Sequence, residues 1–246
     1  AQLVDVASRY SATGRFVRLR ISPVDALIAG IASGGEFGCL IAPASTLPAE
    51  LWSLLVAREP VCLVANLEDD SVTDFVLYTE SSIDQADSAA QALFERGKSD
   101  SEIVNNKIIS VFWPVPKIVI VGTGPNAQAL RESAALLGWQ TVITSDAGSA
   151  QGVIAGVSAL DSIVIMIHDL DIAGAALSAA LSSNAGYIGA LGSKRMQETR
   201  AEWLAYRGIT DLTRIHGPAG INIGAKTPAE IAISILAQAL SVVKLG

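Results

Sequence analysis

The sequence predicts an α/β protein: a C-terminal Rossmann-like, doubly wound parallel sheet with a smaller N-terminal α+β domain. Three observations carry this. Short apolar strands alternate with helical segments through the second half. The composition is aliphatic, with 50% hydrophobic residues, only 5% aromatics and 21 glycines, the material of helices packed closely on a parallel sheet. A Gly-x-Gly-x-x-Ala run follows the first strand of that half and opens a helix.

In the N-terminal part, Arg15 to Ile21 has a loose apolar alternation and predicts a strand. Ser22-Pro-Val-Asp25 is a helix start, with Ser as cap and Pro in the first turn. Strands are expected at 38–42, 61–65 and 73–78. Helices are expected at 47–58, opened by Pro48 and Glu50, and at 83–96 after a Ser81-x-x-Asp84 box. Residues 97–116 are polar and then carry Pro114 and Pro116, so they read as a link between domains 1–112 and 113–246.

The C-terminal part is clearer. Strands are expected at 117–121, 141–144, 162–167, 187–191 and 214–216, with helices at 127–137, 172–182, 194–207 and 228–243. Thr227-Pro-Ala-Glu230 is a full capping box for the last helix.

Composition narrows the function. With 246 residues the chain holds one large domain or two small ones, and its 17% charged residues exclude a disordered chain. The net charge of −7 argues against nucleic acid or an anionic membrane as partner. The mean hydropathy of +0.44 calls for a search for spans. The best apolar runs, 118–121 and 163–167, fall far short of the roughly 20 residues a span needs. The opening AQLVDVASRY has no basic segment before an apolar core, so no signal peptide is expected. Two cysteines, Cys39 and Cys62, fit free thiols in a reducing cytoplasm.

Gly122-Thr123-Gly124-Pro125-Asn126-Ala127 fits a phosphate-binding loop: a tight turn, then bare backbone, then helix amides. Its plain alternative is a glycine-rich turn with no ligand. An acid is expected about 20 residues later to take a ribose hydroxyl, and Asp146 stands near that place. His168-Asp169, Gly192-Ser193-Lys194-Arg195 and His216 follow later strands, at the edge where open α/β sheets bind ligands. His168 and Asp169 serve equally well as a helix cap. Lys194, Arg195 and Lys226 sit at helix starts, where the helix dipole disfavours cations, which suits a bound anion or side chains simply turned to solvent. Gly224-Ala-Lys226-Thr227 has Ala225 where a nucleoside-triphosphate loop requires the glycine before its Lys. Cys39, in a glycine-rich turn, is a weak candidate for a reactive thiol or soft metal ligand, and a buried free thiol is the commoner outcome. No zinc spacing occurs.

Five blocks in order, Pro116–Gly124 with Ala127–Trp139, Ile165–Asp169, Tyr187–Arg195 and Arg214–Ser234, resemble the XdhC/CoxI family. Its members are accessory proteins that mature molybdenum hydroxylases such as xanthine dehydrogenase and carbon monoxide dehydrogenase. The resemblance implies a Rossmann-type domain binding the molybdenum cofactor, a pterin dithiolene phosphate that can carry a nucleotide. It implies a chaperone that shields the cofactor, supports its sulfuration and hands it to the apoenzyme, with no established turnover of its own. Gly122–Asn126, Asp146, His168, Asp169, Gly192–Arg195 and His216 would hold the cofactor, and Cys39 would reach toward the dithiolene. A cysteine desulfurase and a second copy of the chain are further partners it suggests. Pro125 stands where the family usually has His, Ser145-Asp146 where it often has Asp-Pro, and Ser33-Gly-Gly35 is split from Gly38-Cys39. The alternative from another class is an NAD(P)-dependent oxidoreductase using the same loop and Asp146. A third is a scaffold that only docks the target enzyme.

Overall fold

The computed structural model describes residues 7, 14–28, 30 and 34–245. Ser33 and most of the opening ten residues lie outside them. The chain divides into two compact units, 1–114 and 115–246.

The first unit is a six-stranded antiparallel sheet in the order β2-β1-β4-β3-β6-β5. Its strands are β1 (Arg15–Ile21), β2 (Gly35–Ile41), β3 (Val61–Glu68), β4 (Ser71–Thr79), β5 (Asp100–Val104) and β6 (Lys107–Phe112). Among the described residues, short helices α1 (Pro23–Ile28), α2 (Leu51–Val56) and α3 (Ser88–Glu95) accompany them. The start of α1 is set by Ser22, whose Oγ accepts from the Asp25 amide at 3.1 Å and donates to its carboxylate at 2.7 Å. Central strand β3 is buried over Val61–Ala65. One of its faces packs Cys62 and Val64 against Ala90, Leu93 and Phe94 of α3.

Three expectations change in this unit. Residues 97–116 are mostly not a link: they form the β5–β6 hairpin, with Asn105 at φ 46° in its turn. Asparagine tolerates that left-handed conformation, so two adjacent Asn residues close a turn inside a polar-looking stretch. The Ser81 box does not start the helix. Asp87 does, accepting from the Ala90 amide at 3.0 Å and pairing with Lys107 Nζ at 2.6 Å. The helix expected at 47–58 shrinks to Leu51–Val56, preceded by a 3-10 turn at Ala44–Thr46.

The second unit is a five-stranded parallel sheet in the order β11-β10-β9-β7-β8. The strands are β7 (Lys117–Val121), β8 (Gln140–Thr144), β9 (Ser162–Ile165), β10 (Tyr187–Ala190) and β11 (Ile215–His216). The helices are α4 (Pro125–Leu136), α5 (Ala147–Ile154), α6 (Leu170–Leu181), α7 (Lys194–Ala205) and α8 (Pro228–Leu245). Strands β7, β9 and β10 are buried almost throughout and mostly apolar because both faces are covered. On one face Ile118, Ile120 and Val164 pack with α4 and α8; on the other Val119, Val121, Ile163 and Ile165 pack with α5, α6 and α7.

Helix α5 was not expected. Its Gly148 and Gly152 weaken the helical signal, yet Ala150 and Ile154 are buried under the sheet. Among the described residues α8 alone is long and apolar enough to cross a membrane by length and composition. Here its Ala232, Ile235, Leu236 and Ala239 face is buried against the sheet, so its apolarity serves the core.

Candidate functional site

The strand order places a switch point between β7 and β9, the crevice where open α/β sheets take ligands. Main-chain bonds fix the strand ends there. Val121 O accepts from Met166 N at 2.7 Å and from Ile167 N at 3.1 Å, and Thr144 O accepts from Gly122 N at 2.7 Å. Leu191 N donates to Ile165 O at 2.8 Å, and Ala219 N to Ala190 O at 3.0 Å. The loops that follow β7, β8, β9, β10 and β11 therefore share the carboxyl edge of one sheet. Gly122–Asn126, Asp146, His168–Asp169, Gly192–Arg195 and His216 all belong to these loops or strand ends.

Gly122 is at φ 136°, and a Cβ there would lie 2.9 Å from Ile167 N and 3.1 Å from the Met166 carbonyl carbon. Only glycine lets the two strand ends approach this closely. Gly124, at φ 99°, has no heavy atom within 4 Å of such a Cβ. Its open surroundings leave bare backbone next to the start of α4. Pro125 is the first residue of α4, where a missing N–H costs the helix nothing. Thr123, Gly124 and Pro125 are exposed.

The other loops are capped from within. Asp146 accepts from Ser149 N at 2.8 Å and Asp169 from Ile172 N at 3.0 Å, so each starts its helix. The cap holds the Asp146 carboxyl below the usual carboxylate range, chiefly through the Ser149 amide. Ser193 caps α7 through the Met196 amide at 3.3 Å, leaving Lys194 and Arg195 exposed on its first turn. Lys226 differs. The α8 start is filled by Glu230, whose carboxylate accepts from Lys226 N at 2.7 Å and Thr227 N at 2.9 Å. The expectation of an anion beside Lys226 fails, because the chain supplies its own carboxylate.

His168 is exposed at the end of the loop after β9, whereas His216 is half-buried. The His216 ring stacks on Tyr187 with centroids 5.1 Å apart and planes 18° apart. Burial pushes its pKa below the ordinary imidazole value. Tyr187 Oη donates to Gln238 Oε1 at 2.7 Å, and the same oxygen accepts from Gly220 N at 2.7 Å. These bonds fasten the loop after β11 to α8.

Two residues escaped the sequence reading. Arg200 of α7 is 2% exposed, and its guanidinium donates to Leu191 O at 2.8 Å and Ile167 O at 2.9 Å. Gln197, one turn earlier, donates to Ala190 O at 2.9 Å. Together they tie α7 to the ends of β9 and β10. Their signal was the spacing 197, 200, 204, which puts Arg200 on the same helix face as buried Leu204.

Cys39 lies in the first unit, in strand β2 opposite Val17 rather than in a turn. The glycine beside it, Gly38, makes room for the Phe16 ring. Among the described residues no group of three His, Cys, Asp or Glu is placed to hold a metal.

The second unit is thus an α/β domain with a bare-backbone loop at its switch point, the layout of a Rossmann-type domain. The XdhC Rossmann domain family matches residues 118–239. The chain belongs to the XdhC family through this domain. Two relatives from Escherichia coli (strain K12) align with it. The protein named Uncharacterized protein YqeB is 31% identical over 156 residues, covering 54% of this chain and 28% of that protein. Molybdenum cofactor insertion chaperone PaoD is 31% identical over 136 residues, covering 53% of this chain and 41% of PaoD. The chain thus spans less than half the length of either. A solved structure named a xanthine dehydrogenase from Bacillus halodurans shares the fold, with a TM-score of 0.51 at 23% identity over 99% of this chain and 80% of that one.

Proposed function

We propose that this protein binds the molybdenum cofactor at the strand-end edge of its C-terminal unit and supports maturation of a molybdenum hydroxylase. The observation that carries the reading is the Gly122–Asn126 loop at the β7–β9 switch point, in a domain whose relative PaoD is named a molybdenum cofactor insertion chaperone. The open surroundings of Gly124 leave space for a phosphate beside the start of α4. The pterin phosphate, or a nucleotide attached to it, would accept from Thr123, Gly124 and Asn126; Pro125 donates nothing. Lys194 and Arg195 would add charge from the start of α7, beside Gly192 and Ser193. Exposed His168 and Asp169 would face the pterin, and His216 would border it. Asp146 would contact the group only beside its capping role.

The protein acts as a carrier in the cytoplasm rather than as an enzyme, and the bound cofactor does its redox chemistry after transfer. Its partners are a xanthine dehydrogenase-type or carbon monoxide dehydrogenase-type apoenzyme, with a cysteine desulfurase and a second copy of the chain in support. The rival reading, an NAD(P)-dependent oxidoreductase, needs Asp146 on a ribose, while that carboxylate is engaged by Ser149. Titration with NADH and NADPH beside pterin loading tests the proposal. Pterin retention without saturable dinucleotide binding is expected; tight dinucleotide binding without pterin retention would overturn it.

A further inference from the structure

One cavity in the C-terminal unit has no residue of the glycine loop in its lining. It has a volume of about 290 Å³ and opens between α7 and the segment leading into and past β11. Leu177, Ala201, Leu204, Leu212 and Ile215 give it apolar walls, and Arg200 is its cationic element. Small-molecule sites have this character: an apolar cleft of roughly 300 Å³ or more with a few fixed polar groups.

The guanidinium is the informative part. Arg200 is 2% exposed, yet its partners at 2.8, 2.9 and 3.5 Å are all neutral oxygens, of Leu191, Ile167 and Gln197. Among the described residues no carboxylate pairs with it. Glu198 lines the same cavity but is exposed at its mouth. Burial lowers the Arg200 pKa, the mark of a charge whose desolvation is not fully offset. Carbonyl dipoles satisfy hydrogen bonds without cancelling the charge. The three bonds use Nη1 and Nη2.

We propose that this cleft binds a small monocarboxylate with an apolar body, the carboxylate on Arg200 and the body against Leu204, Leu212 and Ile215. The match is one of charge and shape. An anion neutralises a buried cation where solvent does little, and a charge-assisted bond to guanidinium is about twice as strong as a neutral one. The apolar walls disfavour strongly hydrated dianions, which would lose their water without recompense. Because Arg200 also holds the ends of β9 and β10, occupancy would stiffen the edge that carries His168 and Ser193.

The test uses the whole purified chain with phenylacetate and 4-methylpentanoate as probes and phenylacetamide as the neutral match. Calorimetry or amide chemical shifts should give saturable one-site binding of the acids, with the amide about tenfold weaker or more. Ala201→Phe, which fills the cleft while Arg200 itself is kept, should abolish binding. Saturable binding of neither acid at millimolar concentration overturns the proposal, as does equal binding of acid and amide. Should Ala201→Phe fail to fold, the acid-to-amide ratio on the unaltered chain decides alone.

Discussion

Replacing Gly122 and Gly124 separately by alanine distinguishes a packing glycine from a ligand glycine. In Gly122→Ala the new Cβ sits 2.9 Å from Ile167 N and 3.1 Å from the Met166 carbonyl carbon. Neither can retreat easily, because Val121 O holds Met166 N at 2.7 Å and Ile167 N at 3.1 Å. Overpacking costs about 1–3 kcal/mol. An alanine at φ 136° adds about 1–3 kcal/mol of backbone strain. The middle of the sum, about 4 kcal/mol, lowers the melting temperature by roughly 8–16 °C at about 2–4 °C per kcal/mol. Gly124→Ala meets no atom within 4 Å, so only strain remains. That is about 1–3 kcal/mol, or roughly 2–12 °C, with the fold kept. Calorimetry on the pair should place Gly122→Ala clearly below Gly124→Ala, while both lose pterin. A Gly122→Ala protein melting with the unaltered chain would refute the close-approach argument. So would a Gly124→Ala protein that melts as low as Gly122→Ala.

Three further outcomes are expected. Burial lowers the His216 pKa, so the unfolded chain holds that proton more tightly; the histidine's stabilising contribution is complete above its ordinary value of about 6.5 and is lost as pH falls below it. Urea midpoints should drop between pH 7.5 and 5.5, and His216→Phe, which keeps a ring on Tyr187, should flatten that slope; identical slopes would contradict the assignment. Cys62 is fully buried and its thiol is pushed up to about 11 by desolvation and by the Asp87 charge. Alkylation at pH 8 followed by mass spectrometry should therefore label Cys39 first and Cys62 only on unfolding. Tyr187→Phe removes one donor from Gln238, which still accepts from Gly220 N, so urea denaturation should register a loss of only about 0.5–1.5 kcal/mol.

The parallel unit was legible in the sequence because its signals are local. Lys117–Val121 is a continuous apolar strand, the glycine loop follows it at once, and Thr227-Pro-Ala-Glu230 starts α8 as its pattern requires. The misses share a different cause. Asp146 reads as a ribose acid until α5 is known to begin beside it, and Gly148 and Gly152 conceal that helix. The β5–β6 hairpin is polar because β5 is an edge strand, and edge polarity in sequence looks like a linker. Arg200 was invisible for a third reason: an arginine on an amphipathic helix is normally solvated, and only the fold reveals carbonyls of two strand ends converging on it.

The central claim is that the C-terminal unit retains a pterin at its glycine loop. The direct measurement is the oxidised-pterin fluorophore released per mole of chain, purified from cells that make the molybdenum cofactor and from cells that do not. Pterin should approach one per chain in the first preparation and stay at background in the second and in folded Gly124→Ala from cofactor-making cells. No pterin above background in the unaltered chain, or full retention by Gly124→Ala, would contradict it.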